Sequence, residues 1–395
     1  MNKDIKKLFL VNIFLAFADG IFYNFLELWL SSNNLSINTI SIVLSLGAVI
    51  TISVIFLSSN LIKQSKLKAF IMSLMFIKFL ILLSLFLLYQ SNLNILIKFL
   101  VMIDYAIDVE ICVSMYPLIS SIKQSDSLYS KRRLLYEIFY YIAALISGLL
   151  LGKSISNLNI TYNTYAIISA LGILISLLML KSVDINEYIK EDINNNISGF
   201  LKKVKKDKPS VYYLLFVIFN DISYYNLVGI LMLILTKELN YTPLFASNIK
   251  LIFCILSVGL ATLIFHKLTS KNSYINISVK YVLRLVVYFI PIVVLNSYTK
   301  IIGLAVTVLT ASIYYHILDG PYINRYKGNE QFEFSNLCEM LSYFSRAVGT
   351  FLCGYCIVRT MRYSYIIAFI FTLIGAIFAY LALYSLNKER GNHDR

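Results

Sequence analysis

Four acidic side chains of this chain sit where an acid is expensive. Asp19 and Asp221 lie near the middle of long apolar runs, and Asp104 and Asp108 lie four residues apart in another. On a helix that spacing puts both carboxyls on one face. A charge at the centre of a bilayer costs about 2.5–3.5 kcal/mol even on lenient insertion scales, so it needs a partner, water or a task. A carboxyl in a partly apolar cavity that opens to each side of a membrane in turn can gain and lose a proton there. Competition between that proton and a substrate for one acid is antiport. The structural alternative is an acid locked to a neighbouring Lys or Arg, or capping a kink. Lys78, at mid-depth in the third apolar run, is placed to neutralise Asp104 or Asp108.

Other residues gather around these acids in sequence. Tyr23 and Asn24 follow Asp19, and Tyr225 and Asn226 follow Asp221, all read as substrate- or proton-binding candidates. Tyr224, Tyr314 and Tyr315 offer further aromatic faces for a flat or cationic molecule. Asn12, Asp19, Tyr23 and Glu27 share a stripe on one continuous helix. Glu110 points away from Asp108 and reads as structural. Arg346 is a candidate contact for an anionic group or a partner for Asp221, whereas Arg284 reads as paired or snorkelling. Glu137 and Glu339 are gating candidates, with an end-of-helix ion pair as the alternative. His316 is a candidate proton relay, with a packing histidine as the alternative.

These residues need helices long enough to cross a membrane, and the composition supplies them. Hydrophobic residues make up 58% of the 395 and charged residues 14%, with mean hydropathy +0.74. Soluble domains average about 25% charged, which excludes disorder and a soluble enzyme core. At about 20 residues per span, roughly twelve helices fill the chain. The fourth, ninth and eleventh carry charge. The first apolar run is too long for a signal peptide and reads as a retained helix. Outer loops hold only Lys153, Lys237, Lys300, Arg359 and Arg362, and most other Lys and Arg fall in inner segments. Both termini are therefore expected in the cytoplasm. The net charge of +14 faces an anionic leaflet, and no nucleic-acid partner is implied.

Absent motifs narrow the function. The chain has neither G-x-x-x-x-G-K-[ST] nor H-E-x-x-H, so no nucleotide hydrolysis and no metal site are expected. No enzyme activity is expected either. Cys353 and Cys356 spell C-x-x-C on a membrane helix, where small packing residues are the simpler reading.

A repeat organises the chain. Phe17, Asp19, Phe22, Tyr23 and Asn24 match Phe219, Asp221, Tyr224, Tyr225 and Asn226 at an offset of 202. Leu135, Glu137, Tyr141 and Gly152 match Leu337, Glu339, Tyr343 and Gly354 at the same offset. The expected division is 1–182 and 210–395, two six-helix bundles, with 183–209 as a solvated cytoplasmic linker that includes a short surface helix. Two parallel six-helix halves joined by a basic loop resemble the major facilitator superfamily. Ala144, Gly148 and Gly152 resemble the glycine-rich motif of its twelve-helix drug–proton antiporter branch. Lys63, Lys66 and Lys68 keep the basic character of the family's second–third loop. The resemblance implies an all-α polytopic protein with helices one, four, seven and ten around a central cavity. It further implies a monomer in the cell membrane that exports a small amphipathic compound by alternating access. No cofactor is expected beyond a proton gradient. The alternatives are a transporter of an anionic metabolite held by Lys78 and Arg346, and a non-transporting immunity or sensing protein.

Overall fold

The structure, a computed structural model, describes residues 3–61, 66–122, 136, 138–148, 158–184, 197–260, 273–311, 318, 320–323, 325–326 and 329–393. Among the described residues there is no strand. The helices are α1 Lys3–Phe22, α2 Leu26–Ser32, α3 Ile37–Leu61, α4 Leu67–Leu87, α5 Asn94–Ile122 and α6 Ile138–Gly148. They continue as α7 Leu158–Lys181, α8 Ile197–Val204, α9 Lys208–Val228, α10 Leu231–Leu233 and α11 Pro243–Leu260. The series closes with α12 Ser273–Val293, α13 Ser297–Leu309, α14 Gly320–Ile323, α15 Asn329–Ile357 and α16 Met361–His393.

Runs this apolar form helices in lipid because a helix satisfies each backbone N–H and C=O within the run. Among the described residues, six stretches are long and apolar enough to cross a membrane: Asp4–Ser32, Ile37–Leu61, Leu67–Leu87, Tyr162–Lys181, Lys208–Glu238 and Met361–Lys388. The expected fourth, ninth and eleventh spans are α5, α12 and α15, which carry internal charges. The fifth, eighth and tenth are α6, α11 and α13, with shorter apolar stretches among the described residues. Leu57, Phe76, Leu178, Val282 and Phe289 all stand more than two-fifths exposed. An apolar surface of that kind belongs in lipid, so the chain is a multi-pass membrane protein.

The described chain forms two compact units, Met1–Asn195 with Leu235–Leu251 and Asn196–Ile234 with Ile252–Arg395. These differ from the expected boundaries in two places. α8 belongs to the second unit, and the segment through the start of α11 belongs to the first. In the first unit α1 packs on α7, α4 on α7 and α5, and α3 on α5. In the second, α9 packs on α15 and α16, and α12 on α16 and α13. The first and third helices of each half thus lean on its last helix, a plan stated twice.

Close approach needs glycine at two junctions. A Cβ on Gly20 of α1 would strike the Tyr140 carbonyl oxygen and lie 2.9 Å from the Ala143 Cβ. One on Gly349 of α15 would lie 2.7 Å from the Tyr225 Cβ. Small residues of this kind are how membrane helices let their backbones meet.

The first helix of each half is broken. A turn at Tyr23–Phe25 separates α1 from α2, and Gly229–Ile230 separates α9 from α10, after which Ile234–Glu238 forms a π turn. The continuous stripe expected from Asn12 to Glu27 therefore stops at Phe22. Glu27 lies in the first turn of α2, where an acid suits the positive end of the helix dipole.

The last part of the expected solvated linker is the helix α8. The apolar side of α8 faces protein, with Phe200 and Val204 buried among Tyr213, Tyr322, Tyr326 and Phe334. Tyr213 and Tyr322 stack at 4.5 Å. Asp207 accepts from Arg325 at 2.9 Å and from Tyr326 at 3.0 Å, and Lys203 pairs with Glu330.

Candidate functional site

Lys78 of α4 is the hub of the first unit. It is fully buried, and its ammonium donates to Asp19 Oδ1 of α1 at 2.6 Å and to Asp108 of α5. Asp19 Oδ2 also accepts from the Tyr136 hydroxyl at 2.6 Å. Tyr23, in the turn after α1, donates to Asp104 Oδ2 at 2.5 Å. The other oxygen of Asp104 is buried without a hydrogen-bond partner among the described residues. Lys78 Nζ also stands 5.1 Å from the centre of the Tyr23 ring, within reach of its negative face.

Burial grades across the cluster. The Asp19 side chain is 1% exposed and that of Asp108 is 16%, so the ion pair is least enclosed at Asp108. One ligand atom each from Asp19, Asp108 and Cys112 falls within 4.8 Å of the others. A metal would need that space, but the Lys78 ammonium is already bonded to both carboxylates. The cation of this cluster is a side chain.

Two carboxyls share the Lys78 ammonium, and a third, Asp104, lies beside them on Tyr23. If all ionise, the cluster holds more negative than positive charge in a buried place, where unscreened charges repel strongly. Binding a proton relieves that imbalance, and losing Lys78 from either acid restores it. Sequence spacing pairs Lys78 with Asp104 or Asp108. In the structure it meets Asp108 as expected and Asp19 as well, and Asp104 is served by Tyr23 because the break after Phe22 turns that hydroxyl toward α5.

The second unit uses other partners. Asp221 of α9 accepts from the Asn220 amide at 3.0 Å and from Ser342 of α15 at 2.6 Å. Asn220 Oδ1 in turn accepts from Lys280 at 3.0 Å and Arg284 at 3.3 Å, both on α12 and both fully buried. Arg284 also donates to Thr310 Oγ1 at 2.7 Å and to the Thr307 carbonyl at 3.1 Å. Snorkelling is thus corrected for Arg284: its guanidinium turns inward, because hydroxyl, amide and carbonyl acceptors await it there. Arg346 of α15 lies over the Tyr225 ring at 5.2 Å. Asn226 is buried and donates to the Ser364 carbonyl at 2.6 Å, while Asn24 donates to Ser247 at 3.2 Å.

The remaining candidates are placed as follows. Glu110 is buried away from the cluster and accepts from Ser114 at 2.7 Å. Glu339 is half-buried on α15. Cys353 and Cys356 are buried thiols. Glu137, Gly152, Tyr314, Tyr315 and His316 lie outside the described residues. Sequence reasoning missed Tyr136, Asn220, Ser342 and Lys280. Only Lys280 had a readable signal, since it lies 202 residues beyond Lys78.

No family profile matches the sequence, and no curated protein is similar to it. Solved structures do match. A nucleoside transporter, NupG, superposes with TM-score 0.70 at 12% identity, over 98% of this chain and 100% of that one. A point variant of the fucose:proton symporter FucP of E. coli gives 0.64 at 14%, over 96% and 98%. Likeness at such low identity, whole chain on whole chain, speaks to architecture and not to cargo: this chain is an all-α, polytopic membrane protein with the major facilitator fold.

Proposed function

We propose that this chain is a secondary active transporter that works by alternating access and is driven by protons binding at the Lys78 cluster. One observation carries the reading: Asp19 and Asp108 share the single ammonium of Lys78, and a third carboxyl, Asp104, is held beside them by Tyr23. Such a cluster gains stability from a proton, and Asp108 is its least buried acid. Likeness in fold to a nucleoside transporter and to a fucose:proton symporter supports a small organic cargo. The antiporter-like Ala144 and Gly148 of α6 favour export of an amphipathic compound, and the symporter likeness favours a polar solute carried with its proton. Lys78 is occupied by two carboxylates, which counts against an anionic cargo held by Lys78 and Arg346. The protein would act as a monomer in the cell membrane, both termini cytoplasmic, with no catalytic activity and no cofactor.

The test uses purified protein in liposomes with a pH-sensitive dye trapped inside. Nucleosides, sugars and cationic dyes are added one at a time to vesicles of wild type and of Asp108→Asn. A solute that moves protons in wild type and not in Asp108→Asn supports the reading, and the sign of the movement separates symport from antiport. If no solute moves protons across the panel, the transport reading yields to a sensing or immunity protein.

A further inference from the structure

The two halves keep the same lysine and have opposite charge around it. Lys78 and Lys280 stand at the offset that relates Asp19 to Asp221 and Asn24 to Asn226. Each is fully buried on the third helix of its half and reaches toward the first. Lys78 meets Asp19 directly at 2.6 Å. Lys280 meets Asn220 at 3.0 Å, and Asn220 passes the contact on to Asp221 at 3.0 Å. Around this shared core the same offset sets Thr310 against Asp108, Val306 against Asp104 and Arg284 against Leu82. The structure puts those exchanges to use. Where Asp108 accepts from Lys78, Thr310 accepts from Arg284. Acids outnumber bases in the first cluster, and bases outnumber the acid in the second.

We infer that Asp221 is a fixed anion, the standing counter-charge of Lys280 and Arg284, and that the proton cycle is confined to Asp19, Asp104 and Asp108. The inference rests on the proton-coupled reading above and assigns the coupling to one half. A proton on Asp221 would enlarge an existing excess of positive charge in a buried place, whereas a proton in the first cluster reduces an excess of negative charge. The groups around Asp221 agree. From α12 come Lys280, Tyr281 and Arg284, from α15 the Ser342 hydroxyl, and Tyr380 of α16 lies beyond Tyr281. Arg346 adds a third cation one turn along, over Tyr225. Around Asp108 stand Asp19, Tyr23, Lys78, Asp104, Cys112 and Tyr136, with Lys78 the one cation in that set among the described residues. Asn220 is the device that differs: an amide between lysine and acid shares one acceptor with both bases and holds Asp221 by a donated N–H.

Infrared difference spectroscopy tests this without knowledge of the cargo. Purified protein in lipid is cycled between about pH 9 and about pH 5.5, where exposed carboxylates, which titrate near 4, stay ionised. The carbonyl-stretch band of newly protonated carboxyls is then compared among wild type, Asp104→Asn, Asp108→Asn, Asp221→Asn and Lys280→Met. The band should shrink in Asp104→Asn or Asp108→Asn and keep its full intensity in Asp221→Asn. Lys280→Met should leave the band unchanged, because Arg284 remains as the counter-charge of Asp221. A band that shrinks in Asp221→Asn, or is absent from wild type, overturns the inference. If Asp221→Asn does not fold, the charge-balanced pair Asp221→Asn with Lys280→Met must show the wild-type band, and a smaller one overturns the inference equally. A wild-type band with the expected pattern, but no proton movement with any solute, removes the transport reading and leaves this assignment standing.

Discussion

Asn24 donates its side-chain N–H to Ser247 Oγ at 3.2 Å across 223 positions of sequence. Asn24 lies in the turn that breaks the first helix, and Ser247 lies on α11, in the segment that packs with the first unit. Gly148 of α6 meets the same hydroxyl: a Cβ there would lie 3.0 Å from it. The repeat mate Asn226 ties its own helix to a backbone carbonyl, that of Ser364. One asparagine serves both halves with different acceptors.

Ser247→Ala should leave a buried amide donor without its acceptor and cost about 1–3 kcal/mol. Gly148→Leu should cost more, because a Cβ there already lies 3.0 Å from the Ser247 hydroxyl and a larger side chain must displace it. Thermal unfolding of the detergent-solubilised protein reads both, and an unchanged midpoint for Ser247→Ala would show that the contact is dispensable.

Lys78→Met removes the ammonium from two carboxylates at once. Breaking a buried pair by removing one partner costs about 3–5 kcal/mol, so the variant should be poorly folded and inactive. Adding Asp19→Asn and Asp108→Asn to it should restore the melting midpoint but not proton movement. Recovery of transport in that triple variant would place the coupling elsewhere.

Tyr23→Phe deprives Asp104 of the hydroxyl that serves its Oδ2, and its second oxygen already lacks a donor. Hydrogen bonds to charged groups contribute about 1.5–3 kcal/mol, so proton-driven transport should fall by roughly 10- to 100-fold. Tyr136→Phe should be milder, because Asp19 keeps Lys78. Initial rates in the dye-loaded liposomes rank the two, and the reverse order would contradict the geometry.

At the α8 end of the second unit, packing should outweigh charge. Lys203 and Glu330 are both more than two-fifths exposed, and exposed pairs contribute about 0–1 kcal/mol, so Lys203→Ala should melt like wild type. Phe200→Ala opens the aromatic cluster and should cost about 3–5 kcal/mol. Equal effects would mean that α8 is held by its charges.

The acids are legible in the sequence because a carboxyl in an apolar run has no cheap explanation. Asp19, Asp104, Asp108 and Asp221 stand out for that reason, and the helical architecture follows from run length. Their partners are less legible. Which acid Lys78 meets depends on where the first helix breaks, and nothing in Phe22-Tyr23-Asn24-Phe25 marks a break, since no Pro or Gly stands in it. Tyr136 is one of 30 tyrosines, and its hydroxyl is singled out only by folding. Lys280 is legible through the repeat, but only when the repeat is read for its bases as well as its acids. The place of α8 is obscured because its lysines suggest a membrane surface, while Phe200 and Val204 find an aromatic protein surface instead.

The Asp19–Lys78 pair also sets an order for biosynthesis. Asp19 leaves the ribosome 59 residues before the lysine that will neutralise it, and Asp108 follows that lysine by 30. A lone charge on a helix entering lipid costs about 2.5–3.5 kcal/mol, so α1 and α4 gain by entering together as a neutral couple. The second half repeats the interval, with Lys280 emerging 60 residues after Asn220. In each half the first helix thus carries a polar side chain toward lipid about 60 residues ahead of the lysine that meets it.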